Sequence, residues 1–334
     1  MDKKIDFVIT WVDDSDPKWQ KEFEYYSAQE RRTINTDACR YRDWGTLQYW
    51  FRGVEKFAPW VNKIYFVTYG HLPKWLNTNN PQLVIVKHED FIPHEYLPTF
   101  NSNTFEFFFH KIKGLSDRFV YFNDDMFLID SVSPERFFKK GLPCDVGGLA
   151  CMNHPKPNMF DSSVFLATAL INSHFDKKTA IHNHLWKWYT PIYLRVSRYN
   201  FHFRKISKFP GFVMNHLPNG YTKQTYEEVW KYCEEDIMRN CSHRFRSFGD
   251  IAPWLLRYWQ LASGRFTPYD IFKDGKYYNI KDTTISKIST CITQQKKKLI
   301  CLNDTPIQMN YDNNKKKILG AFEFILPDKC GFEL

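Results

Sequence analysis

The sequence has no Cys-x-x-Cys pair among its 8 cysteines, so nothing in their spacing supports structural zinc. It has no run of the ~20 apolar residues that a membrane-spanning helix needs; the apolar stretches, such as Phe7-Val8-Ile9, are short. Gly-x-x-x-x-Gly-Lys-Ser/Thr, Gly-x-Gly-x-x-Gly and Gly-x-Ser-x-Gly are all missing, which removes P-loop, dinucleotide and serine-hydrolase readings. Internal repeats and low-complexity linkers are absent as well. The first residues, Met1-Asp2-Lys3-Lys4-Ile5-Asp6, lead straight into a strand-like run without the apolar core of a signal peptide. The expectation is a cytoplasmic chain with free thiols.

What is present points to a folded protein. At 334 residues the chain has room for about two domains, or one large one, with a sizeable core. Hydrophobic residues at 43% and charged residues at 25% exclude a disordered chain. The 30 Phe, 19 Tyr and 11 Trp suit a thick core and also stacking platforms for sugars or bases. A net charge of +9 favours anionic partners: nucleic acid, anionic lipid or phosphorylated small molecules. The excess is read as spread along the chain, with local clusters at Lys296-Lys297-Lys298, Lys315-Lys316-Lys317 and between Arg195 and Lys208. The two Lys triplets read as solvated faces.

The first 130 residues alternate strand and helix signals. Asp6–Val12 is a β-branched and aromatic run that ends in Asp13-Asp14-Ser15-Asp16-Pro17. Apolar residues at 44, 47, 50, 51, 54 and 57 predict a helix over 44–57. Lys63–Tyr69, Leu83–Lys87 and Arg118–Asn123 predict strands, and Phe105–Ile112 a helix closed by Gly114. Strands separated by helices predict an α/β fold with a mostly parallel sheet. Ligands of such sheets bind at the carboxyl ends of the strands. Residues 131–212 read as an inserted, irregular lobe that meets the substrate. Beyond it, Thr225-x-x-Glu228 predicts a capped helix over 225–239. A helix follows at Ile251–Ala262 and a short strand at Leu299–Leu302.

Carboxylates mark two strand ends. Asn123-Asp124-Asp125 follows an apolar strand, and magnesium binds through one or two such carboxylates, sharing its other positions with water and phosphate oxygens. A turn or helix cap is the plainer reading. Asp13 is best placed of its cluster to face the crevice. His216, in Asn215-His216-Leu217-Pro218, has the side chain best suited to take a proton near neutral pH, or is simply structural. In Arg244-Phe245-Arg246 a guanidinium fork suits a phosphoryl group; the alternative is a surface salt bridge, with Asp250 nearby. Asn303-Asp304 is a third polar arm of the same site, or a turn.

Four blocks together resemble the Stealth family of sugar-1-phosphate transferases. The first is Ile5–Pro17. The second runs from Arg42 to Leu128 and includes Ala58-Pro59-Trp60-Val61-Asn62-Lys63-Ile64-Tyr65, Leu97-Pro98-Thr99-Phe100-Asn101-Ser102-Asn103 and Asn123-Asp124-Asp125-Met126-Phe127. The third spans His216 to Asp250, and the fourth is Ile300-Cys301-Leu302-Asn303-Asp304. They come in family order and span nearly the whole chain; Asp14 departs from the Gly of many members. The resemblance implies a Rossmann-like sheet of the nucleotide-sugar transferase type. It divides the chain into a nucleotide-sugar-binding core (1–130), a variable acceptor lobe (131–212) and a C-terminal part completing the catalytic site (213–334).

The reaction implied by the resemblance moves hexose-1-phosphate from a UDP-sugar to a sugar hydroxyl of a cell-surface polysaccharide. UMP leaves and a phosphodiester forms. Carried over block by block, Asp124 and Asp125 belong to the metal–diphosphate site, with Mg2+ or Mn2+, and Asp304 is a further carboxylate at the metal. His216 is the base for the acceptor hydroxyl, and Arg246 steadies the transferred phosphoryl. Asp13, Asn101 and Asn103 line the donor pocket. A polysaccharide or lipid-linked oligosaccharide acceptor, together with the basic charge, implies peripheral attachment at the inner face of the membrane. Two other classes compete. A metal-dependent glycosyltransferase would release UDP instead. A nucleic-acid binder would use the basic, aromatic stretch Tyr193–Phe209, but leaves the acidic strand ends unexplained, so no nucleic-acid partner is expected.

Overall fold

Four parallel strands carry the molecule, each a short β-branched and aromatic run: β1 (Asp6–Trp11), β2 (Ile64–Thr68), β3 (Leu83–Lys87) and β4 (Arg118–Phe122). They are followed by β5 (Met126–Leu128), β6 (Phe138–Lys139), β7 (Leu142–Asp145) and β8 (Asn219–Thr222). The last strands are β9 (Thr267–Pro268), β10 (Gly275–Asn279) and β11 (Leu299–Asn303). The structure, a computed structural model, describes residues 4–30, 34, 42–151, 158–305 and 310–334. The central sheet runs β3-β2-β1-β4-β8, and β8 alone is antiparallel, pairing Phe119 with Tyr221. Two three-stranded sheets, β10-β11-β5 and β6-β7-β9, flank it.

The helices are α1 (Pro17–Gln29), α2 (Leu47–Phe57), α3 (Ser102–Phe108), α4 (Met159–His174), α5 (Lys177–Asn183) and α6 (Leu185–Trp188). They continue with α7 (Leu194–Asn200), α8 (Lys223–Cys241), α9 (Trp254–Ala262), α10 (Ile271–Asp274), α11 (Ile285–Thr293) and α12 (Tyr311–Ile325). Successive strand residues face opposite ways, so two cores form. Phe7, Ile9, Phe66 and Phe122 pack with Trp50 and Phe51 of α2, Ile288 of α11 and Phe322 of α12. Val8, Val67, Phe119 and Tyr121 pack with Phe107 of α3, Val229 of α8 and Leu255 of α9. With both faces covered, the central strands read as continuous apolar runs rather than alternating ones. This is the α/β fold expected, with a mostly parallel sheet.

Several elements differ from the sequence pattern. Residues 131–212, expected to be irregular, hold α4, α5, α6 and α7. The last three are only seven, four and seven residues long and expose apolar side chains, which hides the helical period. Helix α3 starts at Ser102, three residues before the expected Phe105, because the Asn101 side chain caps it, accepting from the Asn103 amide at 3.1 Å. The capping box at Thr225 and Glu228 does not form. Thr222 caps α8 instead, while Thr225 donates to Gln260 and Glu228 pairs with Arg265.

Buried ionic groups fix the frame. Asp6, fully buried, accepts from Asn62 Nδ2 (2.6 Å) and the amides of Lys63 and Ser116 (3.1 and 2.7 Å). Arg52 makes a bidentate pair with Glu333 (2.7 and 3.0 Å) and Arg257 another with Asp145 (2.7 and 2.8 Å). Arg257 also donates to the carbonyl of Val213 at 2.8 Å, clamping the segment that leads to His216.

Candidate active site

A cleft of about 1170 Å³ opens at the carboxyl ends of β1 and β4. Its walls include Thr10 and Trp11 from β1, Val12 just beyond it, Asn123-Asp124-Asp125 beyond β4, Asn215-His216-Leu217, Arg246 and Asp304. The topology explains the convergence. After Asp125 the chain turns into β5, which pairs antiparallel with β11 and sets Met126 opposite Cys301. The Leu302 amide donates to the Asp125 carbonyl at 2.8 Å, locking that turn.

Asp125 is the hub. Its Oδ2 lies 3.3 Å from His216 Nε2 and accepts from Cys301 Sγ at 3.2 Å. Burial pushes the Asp125 carboxyl up, but the charge and hydrogen bond of His216 outweigh it, and the group titrates below its ordinary value. Burial likewise works against the His216 imidazolium; Asp125 and then Glu106 overcome it and hold the imidazole above its ordinary value. An ionised carboxylate only accepts, so Nε2 carries the hydrogen and Nδ1 is left as the proton-accepting nitrogen.

Arg246 stands beside this pair. Its Nη2 donates to Ser102 Oγ of α3. A smaller cavity of about 110 Å³ adjoins the cleft and is shared by Arg246, His216, Glu106 and Asn103. Burial pushes the Glu106 carboxyl up to about 7, only partly offset by Arg246, Ser102 and His216. The loop bearing Arg246 is anchored by buried Asp250, not by a surface salt bridge. Asp250 accepts from His243 Nδ1 (2.7 Å), Ser247 N and Oγ (3.0 and 3.1 Å) and Asn101 Nδ2 (3.1 Å).

The remaining sequence candidates fall in different places. Asp124 is exposed to the water of the cleft. The protein around it, then Asp125 and Asp43, push its carboxyl up to about 7. Asp304 lines the cleft with Oδ2 3.3 Å from Arg42 Nη1. Asp13 is not among the residues that line the cleft. Its Oδ1 accepts from Ser15 N and Oγ (2.9 and 2.5 Å), and Val12 forms the wall instead. Asn101 is wholly buried between α3 and Asp250, so it supports the Arg246 loop rather than lining the donor pocket. Asn103 lines the smaller cavity but not the cleft.

Sequence reasoning missed Glu106, Cys301 and Arg42 as site residues. Glu106 was legible in one way: in a helix starting at Ser102 it falls at i+4 and shares that residue's face. The triplet at Lys296 also proves to be more than a solvated face, since Lys296 and Lys297 reach the cleft.

The oxygen donors of the cleft suit a hard divalent cation. Asp125 Oδ1 is buried without a hydrogen-bond partner among the described residues, and neighbouring Asp124 is a carboxylate with no ion pair among them. These two oxygen donors fit magnesium or manganese, completed by water and phosphate. The group Asp125, His216 and Cys301, whose ligand atoms all lie within 4.8 Å of one another, includes a thiol and an imidazole and suits softer ions.

Family patterns match the first two of the four blocks. The family pattern described as "Stealth protein CR1, conserved region 1" matches residues 3–31, and "Stealth protein CR2, conserved region 2" matches 40–144. A protein of Streptococcus pneumoniae named capsular polysaccharide phosphotransferase WcwK is 38% identical over 100% of both chains. The chain belongs to the Stealth family. Another member, exopolysaccharide phosphotransferase cps2G of Lactiplantibacillus plantarum, is 38% identical over 98% of this chain and 96% of its own. Receptor polysaccharide phosphotransferase WefC of Streptococcus gordonii is 36% identical over 100% of both. Among solved structures, the galactosyltransferase LgtC in complex with donor and acceptor sugar analogs aligns with 94% of this Stealth chain and 95% of its own, at 9% identity and a TM-score of 0.41.

Proposed function

We propose that this protein is a phosphotransferase that moves hexose-1-phosphate from a UDP-sugar to a hydroxyl of a growing cell-surface polysaccharide. The observation that carries the reading is the Asp125–His216 pair beside Arg246 in the large cleft at the strand ends. Its Stealth relatives, similar over their full length, are named phosphotransferases of capsular and exopolysaccharides.

In this reading the acceptor oxygen attacks the β-phosphorus of the donor. The bond from that phosphorus to the bridging oxygen breaks, and UMP departs with the electron pair. His216 Nδ1 takes the hydroxyl proton, while Asp125 holds the tautomer through Nε2 and steadies the imidazolium that forms. Arg246 presents its guanidinium to the phosphoryl oxygens, where charge spreads in the transition state. Glu106 acts on Arg246 and His216 electrostatically and keeps both oriented. Asp124 and Asp125 Oδ1 would hold Mg2+ or Mn2+, which supplies neutralisation of the diphosphate charge. Asp304, engaged by Arg42, shapes the cleft wall beside them.

The acceptor is a polysaccharide or lipid-linked oligosaccharide, placed at the inner face of the membrane. Attachment there is proposed to be peripheral; among the described residues no helix is long and apolar enough to cross a membrane. The test is the nucleotide released when a panel of UDP-sugars is offered with a synthetic acceptor. UMP is expected; UDP would assign the cleft to glycosyl transfer.

A further inference from the structure

The chain's positive charge is concentrated, not spread. Residues 177–226 contain nine Lys and Arg and no Asp or Glu, which leaves 37 basic against 37 acidic residues in the remainder. The whole net charge therefore sits in one segment, which contains α5, α6 and α7.

That segment also exposes apolar side chains that a soluble surface normally hides. Trp186 is 63% exposed, Leu185 54%, Phe201 53% and Leu194 50%, with Ile192 and Tyr199 close behind. The exposure is not loose packing. Beneath these residues Trp188 and Phe203 are buried, Asn200 Nδ2 donates to the carbonyls of Trp188 and Gly147 (both 2.8 Å), and Lys177 Nζ donates to those of Phe203 and Ile206 (2.6 and 2.5 Å). On α7, exposed Leu194, Arg195, Arg198 and Tyr199 follow i, i+1, i+4, i+5 spacing and share one face. Tyr189, at the end of α6, contacts the Phe201 ring with centroids 4.9 Å apart, joining the exposed tips of α6 to α7. Arg195, Arg198, Arg204 and Lys205 make no ion pair among the described residues.

We propose that the α6–α7 face docks on an anionic lipid bilayer. Trp, Leu and Phe tips interleaved with Arg and Lys, on a rigid base, are the composition of an element lying in the membrane interface. A soluble polyanion would account for the Arg and Lys but not for Leu185, Ile192 and Leu194. The face is also continuous with the segment that leads to His216: Val196 of α7 and Val213 pack against the same small cluster, and Met214, next to Val213, lines the cleft. Docking there would hold the cleft near lipid-linked acceptors. This deepens the inner-face placement proposed above and stands or falls separately from the chemistry.

The test is sedimentation of the full chain with vesicles of phosphatidylglycerol and phosphatidylcholine, against phosphatidylcholine alone, at low and raised salt. Binding to the anionic vesicles is expected, weakening with salt. The combined variant Arg195→Glu, Arg198→Glu, Lys205→Glu and the combined variant Trp186→Ser, Leu194→Ser are each expected to lose about tenfold or more in partitioning. Melting temperature and UDP binding should stay unchanged in both. No binding by the parent chain overturns the proposal. So does an apolar variant that binds vesicles as well as the parent. Soluble polyphosphate or RNA that captures the chain and abolishes vesicle binding would assign the face to a soluble polyanion and likewise overturn it. UMP release in solution, measured beside these, reports on the reaction alone.

Discussion

His216 Nε2 sits 3.3 Å from Asp125 Oδ2, and each group moves the other's titration: the carboxyl is held down and the imidazole up. The same Oδ2 accepts from Cys301, so one oxygen of Asp125 is spent on orientation while Oδ1 stays unpartnered among the described residues. In the function proposed, a single carboxylate orients the base with one oxygen and offers the other to a cation.

Removing that carboxylate should be visible directly on the imidazole. In Asp125→Asn the downward pull of burial prevails, so His216 is expected to titrate below its ordinary 6.5 rather than above it. Turnover should fall by roughly 10²–10⁴-fold, the usual scale for a general base that has lost its function. The check is the His216 ring signal followed by NMR through a pH titration. An unchanged midpoint would remove Asp125 as its partner.

Asp124 should make the proposed cation dependence sensitive to pH. Its carboxyl lies at about 7 when folded against an ordinary 3.8, so between those values the folded state holds the extra proton. This contribution to stability is present at low pH and is lost as pH rises through about 7. A divalent cation that binds the ionised pair offsets the loss. Magnesium should therefore raise the melting temperature more at about pH 8 than at about pH 6, where Asp124 is largely protonated. Equal shifts at both pH values would separate Asp124 from the cation.

His216→Ala and Arg246→Ala should fail differently. Proton removal matters only when the hydroxyl attacks, so His216→Ala should lose turnover and keep UDP-sugar affinity. The phosphoryl is already charged in the bound donor, so Arg246→Ala should lose affinity as well. Lys should replace Arg246 poorly, since it lacks the planar fork. Calorimetry of donor binding, with melting temperatures on the same samples, separates these outcomes from unfolding.

The Asp145–Arg257 pair should behave as a framework element. Arg257 is fully buried and bidentate. Arg257→Met leaves a buried carboxylate unpaired and is expected to cost about 3–5 kcal/mol. Adding Asp145→Leu should recover much of it, because an apolar pair needs no desolvation of charge. Denaturant unfolding of the single and double variants measures both.

The parallel core was legible because buried strands such as Leu83–Lys87 are continuous β-branched runs bounded by polar turns. The carboxylates beyond β4 were legible for the same reason, since a strand's end is visible in sequence. What joins them was not. Cys301 reaches Asp125 only because β5 and β11 pair antiparallel, a contact between distant segments that no local pattern encodes. Asn101 and Asp13 carry polar side chains at plausible positions, but local hydrogen bonds claim both: Asn101 caps α3 and Asp13 closes a turn on Ser15. Such competition between capping and catalysis is settled by geometry, not by residue type. The lobe misled in the opposite direction, because exposed Trp186 and Tyr199 interrupt the apolar period of helices that do form.

The most direct measurement follows the oxygen between the anomeric carbon and the β-phosphorus of the UDP-sugar. Attack at phosphorus leaves the bond from that oxygen to the sugar intact. With this oxygen isotopically labelled, mass spectrometry of the product should find label and phosphorus both carried into the acceptor, with unlabelled UMP released. Label leaving in UDP, with no phosphorus in the product, would contradict phosphoryl transfer at this site.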